Sequence, residues 1–196
     1  MDILSYLAEN FDLPILEWIA ANLYSPFGDA VMPIVTLLGD AGIFWIACAV
    51  ALLFVPRYRQ TGLAMGAALL IGLVVCNMTM KPIIARIRPY DYIKDMAEYG
   101  YKTVQLLVET PHDYSFPSGH TLASFEAATV LMLHDKRLGI PAMALAVLIA
   151  FSRLYLYVHY PTDVIFSVFL GIGIAYLGNY LVKKGFAAWA ERKQAA

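Results

Sequence analysis

The sequence predicts an all-α integral membrane protein, a six-helix transmembrane bundle. Three observations predict it. Of 196 residues, 60% are hydrophobic and only 15% charged, against about 25% charged in an ordinary soluble domain. Mean hydropathy is +0.63. The charges are also segregated, since residues 61–80 and 164–182 contain none.

The elements follow in chain order. A span needs about 20 predominantly apolar residues. Five stretches approach this: 41–56, 61–80, 118–134 with Glu126 as its one acid, 138–152 and 164–182. The N-terminal piece, 1–38, is less regular. Its apolar run 13–38 is interrupted by Glu17, Ser25-Pro26, Gly28-Asp29 and Pro33. It reads as an interfacial helix followed by a span, or as one broken span. Asp2 and Glu9, with no positive n-region, argue against a cleavable signal peptide. Residues 1–196 read as a single domain. Cys48 and Cys76 lie inside apolar stretches and read as small core hydrophobes. A net charge of −1 gives no reason to expect a nucleic-acid partner. The expected surroundings are a lipid bilayer, and the oligomeric state is left open.

Basic residues orient the bundle, because Lys and Arg favour cytoplasmic loops. Eight of the fourteen fall on one side: Arg57, Arg59, Lys136, Arg137, Lys183, Lys184, Arg192 and Lys193. That side, with the C-terminus, is expected to be cytoplasmic in a multi-pass plasma-membrane protein. The other six are Lys81, Arg86, Arg88, Lys94, Lys102 and Arg153, at the opposite ends of the spans. Six cations on the outward face oppose the rule, so chemistry rather than topology is expected to require them.

Three outward stretches carry that chemistry. KPIIARIRP (81–89) ends the third span, PSGH (117–120) opens the fourth, and SRLYLYVHYPTD (152–163) joins the fifth to the sixth. Pro117 suits a first helical turn. The amides of Ser118 and Gly119 would then point at an anion from a helix N-terminus. Lys81, Arg88 and Arg153 add three cations, and guanidinium groups grip phosphate in a fork. Tyr160 precedes a proline and is pushed out of helical geometry. Asp163, four residues beyond His159, would accept a hydrogen bond from one ring nitrogen and leave the other as a nucleophile. His120 faces the same space and would protonate the leaving oxygen. Glu126 lies at hydrocarbon depth, about a turn and a half below this pocket. It reads as a buried acid bonded to a neighbouring helix, with a proton path as the competing reading.

Taken together, these stretches resemble the signature motifs of the type-2 phosphatidic-acid-phosphatase family. Its pattern is Lys, six residues, Arg-Pro; Pro-Ser-Gly-His; then Ser-Arg, five residues, His, three residues, Asp. Every fixed position is matched, from Lys81 with Arg88-Pro89, through Pro117 to His120, to Ser152-Arg153, His159 and Asp163. The resemblance spans 81–163. It implies a phosphohistidine at His159 oriented by Asp163, with His120 as acid. It also implies phosphate held by Lys81, Arg88, Ser118, Gly119 and Arg153. No metal or other cofactor is expected, since these cations and amides can stabilise phosphoryl transfer themselves.

The implied activity is hydrolysis of a lipid phosphate or diphosphate on the outward face. Undecaprenyl diphosphate is the favoured substrate, with Arg86, Lys94 and Lys102 as extra charge for a second phosphate. Phosphatidic acid and phosphatidylglycerol phosphate are the alternatives. A vanadium-haloperoxidase-like enzyme and a non-catalytic lipid-binding protein are more remote.

Overall fold

A computed structural model describes residues 3–95 and 106–194, and no strand occurs among them. Lys102 lies outside the described residues. The helices are α1 (Ile3–Leu7), α2 (Leu13–Leu23), α3 (Pro26–Leu37), α4 (Ile43–Leu53), α5 (Arg59–Gly72), α6 (Lys81–Ile84), α7 (Pro89–Asp95), α8 (Gly119–His134), α9 (Lys136–Tyr155) and α10 (Pro161–Gln194). A π-helical stretch, Leu73–Met80, runs α5 into α6.

Three helical runs are long and apolar enough to cross a bilayer: Pro56–Lys94, Lys136–Tyr155 and Pro161–Lys193. Pro26–Leu37 and Asp40–Leu53 qualify together as a pair bent by 40°, so the described residues supply three or four spans. Two stretches that the sequence offers as spans, α4 and α8, are only 11 and 16 residues long. Helix α8 is enclosed by protein, with every residue from Thr121 to Leu131 except Ala123 buried. Such a helix needs no lipid-length exterior.

Helix α8 is the axis of the bundle, and α5, α9 and α10 pack around it. Close approach is built into the sequence. A Cβ on Gly171 would lie 2.9 Å from the Leu122 carbonyl, and one on Gly178 would lie 2.9 Å from the Ala68 amide. Small residues at such crossings let helix backbones touch where lipid offers no hydrophobic drive. The outer faces are apolar: Phe169 is 71% exposed and Ile140 61%. A solvated exterior would be polar at those positions, so these faces suit hydrocarbon.

The irregular N-terminus resolves into α1, α2 and α3, with a π-helical stretch, Ala8–Asp12, running α1 into α2 and a break between α2 and α3. Tyr24 is extended, and Ser25 caps α3 by accepting from the Gly28 amide at 3.1 Å, with Pro26 at the first helical position. At the far end of α3, Ala41 and Gly42 take positive φ values of 48° and 67°. Irregular backbone at membrane depth is tolerated where it lines a cavity. This turn does so, because residues 39–42 border the cavity described next.

Candidate active site

A cavity of about 1150 Å³ opens between the turn at 39–42, α4, α5 and α8. Its floor is apolar, with Ile46, Val50, Leu69 and Leu73 among its lining residues, and its roof is cationic. Of the eight site residues expected from the sequence, six line it together: Lys81, Arg88, Gly119, His120, Arg153 and His159. Ser118 and Asp163 are fully buried and are not among the cavity's lining residues.

The loop between α9 and α10 sets His159. Tyr157 has a positive φ of 59°, and the Val158 amide bonds back to the Arg153 carbonyl at 3.2 Å. His159 is consequently 1% exposed. Its Nε2 lies 3.2 Å from an Arg88 nitrogen, and its Nδ1 lies 3.5 Å from Asp163 Oδ2. Arginine only donates, so the first contact makes Nε2 the acceptor and puts the ring proton on Nδ1, towards Asp163. At 3.5 Å this second contact is looser than the hydrogen bond expected from the sequence, and Nδ1 has no hydrogen-bond partner among the described residues. Burial, followed by the positive charge of Arg88, Arg153 and Lys81, holds His159 well below the ordinary histidine range. The imidazole is therefore neutral, with its lone pair towards the cations.

Asp163 is held by other groups. It accepts from the Tyr160 amide at 3.0 Å, from the Ser115 hydroxyl, and from Arg86 at 2.5 Å. Arg86 also donates to Asp12 at 2.7 Å and stacks on the Tyr160 ring at 3.8 Å. With both carboxylates unexposed and Arg86 5% exposed, this is a buried acid–base–acid triad. The sequence reading of Arg86 as charge for a second phosphate is corrected here: its guanidinium is committed to two carboxylates, away from the cavity. Lys94 sits exposed on α7.

Ser118 is a second correction. It is the N-cap, and Gly119 rather than Pro117 begins the helix. Its amide donates to Ser167 Oγ at 2.8 Å, and its hydroxyl pairs with Thr121 at 3.0 Å. That amide is therefore taken by α10 instead of pointing at an anion. Gly119 does border the cavity, and a Cβ there would meet only Asn77 Oδ1, at 3.6 Å.

The cations are arranged around an acid that the sequence reading overlooked. Asp113 pairs with Lys81 and with Arg88, whose Nε also donates to the Asp113 carbonyl at 2.8 Å. Burial opposes its charged form, but the Lys81 hydrogen bond and the two positive charges prevail and lower its pKa to about 2. Arg153 donates to Thr36 at the end of α3, and its Nε, though buried, has no partner among the described residues. His120 Nε2 is 3.1 Å from Asp40 without hydrogen-bond alignment. Glu126 is 1% exposed, borders the cavity below His120 and points at Gly72, where a Cβ would sit 2.6 Å from its carboxyl carbon. Among the described residues no neighbouring-helix partner satisfies its Oε1.

Four acids and two hydroxyls escaped the sequence reading: Asp12, Asp40, Asp113, Thr36 and Ser115, with Asp29 receiving the Tyr155 hydroxyl at 2.8 Å. A signal existed for two of them. Asp12 and Asp40 are lone acids flanking apolar runs, where an ionisable residue usually has a task.

Comparison with known proteins agrees with this geometry. The undecaprenyl-diphosphatase of Sulfolobus acidocaldarius is 33% identical over 142 residues, covering 72% of this chain and 65% of that protein. The decaprenylphosphoryl-5-phosphoribose phosphatase of Mycolicibacterium smegmatis is 35% identical over 129 residues, covering 65% and 64%. The chain thus spans just under two thirds of the length of these two relatives. The crystal structure of Aquifex aeolicus LpxE superimposes with a TM-score of 0.71 at 26% identity, over 85% of this chain and 93% of that one. The PAP2 superfamily pattern itself matches residues 61–186, from the start of the third expected span to beyond the last motif. With the motif side chains gathered at one cavity and the pattern matched over most of its length, this chain belongs to the PAP2 superfamily.

Proposed function

We propose that the protein is a membrane lipid-phosphate phosphatase working through a phosphohistidine. The observation that carries this is the joining of a cationic roof to an apolar cavity. A phosphate held by Lys81, Arg88, Gly119 and Arg153 leaves its lipid chain facing α4 and α5. The cavity exceeds the roughly 300–1,000 Å³ usual for small-molecule pockets. His159 Nε2 attacks phosphorus while the P–O bond to the leaving group breaks, and His120 gives that oxygen a proton. Water then displaces His159, releasing inorganic phosphate. The unpartnered Arg153 Nε supplies a donor to a phosphate oxygen, where preorganised charge lowers the barrier. Asp163 orients His159, and Arg86 in turn fixes Asp163.

The favoured substrate is a polyprenyl diphosphate such as undecaprenyl diphosphate, cleaved to the monophosphate outside the plasma membrane, with the C-terminus cytoplasmic. Two relatives whose names specify polyprenyl-linked phosphates support this, as does the apolar cavity. Phosphatidic acid and phosphatidylglycerol phosphate remain the competing substrates. Initial rates on all three should be compared in one detergent. A glycerolipid turned over about ten times faster by kcat/KM, about 1.4 kcal/mol of transition-state preference, would refute the polyprenyl assignment and leave the phosphatase intact. His159→Ala should remain folded and lose turnover. Rapid quench of the wild type with labelled substrate should trap an acid-labile, base-stable phosphoenzyme, and persistent activity in the alanine variant would rule this mechanism out.

A further inference from the structure

The turn that breaks the N-terminal apolar region presses directly on the second histidine. Gly39 has no room for a side chain: its Cβ would lie 2.7 Å from His120 Cδ2 and 2.9 Å from Ile149. Its amide bonds back to the Thr36 carbonyl at 2.9 Å, and Thr36 is the group that Arg153 grips. The next residues, Ala41 and Gly42, hold positive φ values of 48° and 67°. A non-glycine residue in that region persists only where its surroundings fix it. The product of this bent backbone is the placement of Asp40 Oδ1 at 3.1 Å from His120 Nε2. That nitrogen is buried and, among the described residues, has no aligned hydrogen-bond partner, with Asp40 the carboxylate placed beside it.

The chemistry of the site gives this placement a purpose. A general acid must carry its proton when the leaving oxygen departs. Burial, followed by the positive charge of Arg153, Lys81 and Arg88, disfavours an imidazolium at His120. Asp40 is the carboxylate that stands against its ring. A carboxylate at one ring nitrogen stabilises the imidazolium and fixes the other nitrogen as the site of proton transfer. Asp40 lies outside residues 61–186, which match the family pattern, so no signature motif assigns it.

We propose that Asp40 is a positioning residue for His120, holding Nε2–H so that Nδ1 delivers the proton to the leaving oxygen. The inference rests on the phosphatase reading. During the step the His159 Nε2–P bond forms and the P–O bond breaks. The proton leaves His120 Nδ1 for that oxygen, and Asp40 remains ionised throughout. In the second half the attacking water returns a proton to Nδ1, and the histidine pair is restored. Asp40 also lies within electrostatic reach of Arg153, which holds phosphate in this reading. A role confined to that cation would act on binding alone.

Leaving-group dependence separates the possibilities. An alkyl alcohol must be protonated as it leaves, whereas p-nitrophenolate departs without a proton. Purified wild type, Asp40→Asn and Asp40→Glu should be assayed on dodecyl phosphate and on p-nitrophenyl phosphate. For Asp40→Asn, kcat/KM on dodecyl phosphate should fall about 10- to 100-fold, with less than a threefold fall on the aryl ester. The inhibition constant for inorganic phosphate should stay within about twofold. The alkaline limb of the alkyl profile should move to lower pH, because the proton on His120 is lost earlier without its carboxylate. Asp40→Glu should recover part of the alkyl rate. Equal losses on both esters, or a weakened phosphate constant accounting for the loss, would overturn the assignment while leaving a working phosphatase. An unchanged alkyl rate in Asp40→Asn would overturn it as well. Wild type inactive on every ester would remove the phosphatase reading and this assignment with it.

Discussion

Arg86 shows how a single buried charge divides structural from chemical duty. Its guanidinium joins Asp12, on the N-terminal segment, to Asp163, one helical turn beyond the nucleophile. Asp12 also accepts from the Thr162 amide at 2.8 Å, so the N-terminal segment is tied to the start of α10. Removing one partner of a buried ion group strands the others, at a cost of about 3–5 kcal/mol. Arg86→Ala should therefore lower the thermal midpoint in detergent by several degrees and depress turnover on monophosphate and diphosphate substrates alike. A selective loss on diphosphates would restore the second-phosphate role. The neutral state of His159 gives a prediction of its own. Burial and three cations depress its pKa, so the free enzyme keeps its nucleophile as pH falls through 6.5 and loses it only well below. After correction for substrate ionisation, kcat/KM should show no inflection near 6.5 on the acid side. An inflection there would mean that His159 titrates as an ordinary histidine. Asp113 is a carboxylate placed where substrate phosphate should bind, against Lys81 and Arg88. Asp113→Asn should tighten inhibition by inorganic phosphate several-fold, and weaker inhibition would show that the acid assists anion binding.

At the scale of elements, the site depends on what each helix end does. Helix α8 presents Gly119 and His120 from its first turn, while α9 ends at Tyr155 and a short loop turns His159 back towards Arg88. The bent pair α3–α4 brings Thr36 and Asp40 to the cavity, and α4 with α5 forms its apolar wall. Gly66 on α5 borders the cavity with open space around it. A large side chain there would fill the path of a lipid chain without touching the phosphate site. Gly66→Trp should cut kcat/KM on long-chain lipid phosphates at least about tenfold and change p-nitrophenyl phosphate hydrolysis by less than about twofold. Equal inhibition of both substrates would place the lipid elsewhere.

For the whole molecule, we propose an orientation from charge, because Lys and Arg favour cytoplasmic loops. The basic loops at Arg57 and Arg59, at Lys136 and Arg137, and beyond Lys183 occupy the ends of the bundle opposite the motif residues. In a background lacking Cys48 and Cys76, a cysteine at Lys94 should react with an impermeant thiol reagent in intact cells. One at Arg59 should be protected until the membrane is breached. The reverse pattern would turn the cavity towards the cytoplasm and change where its substrate must be found.

The sequence by itself determined the all-helical membrane class, because long charge-free runs can satisfy their backbone in lipid only as helices. It also determined which residues gather at the site, from Lys81 to His159, since their types and spacing carry phosphate chemistry without reference to neighbours. Local sequence reaches no further than a helix end. Whether Arg86 meets substrate or Asp12, whether the Ser118 amide is free or held by Ser167, and that Asp113 sits between two cations depend on contacts across 25 to 77 residues of chain. The six spans expected from the sequence are not matched by the three or four that the described residues supply, because the need for length depends on whether a helix such as α8 faces lipid or protein. Those distinctions arise from packing: burial removes water from a charge, and whichever opposite charge the fold brings within reach then fixes what that charge can do.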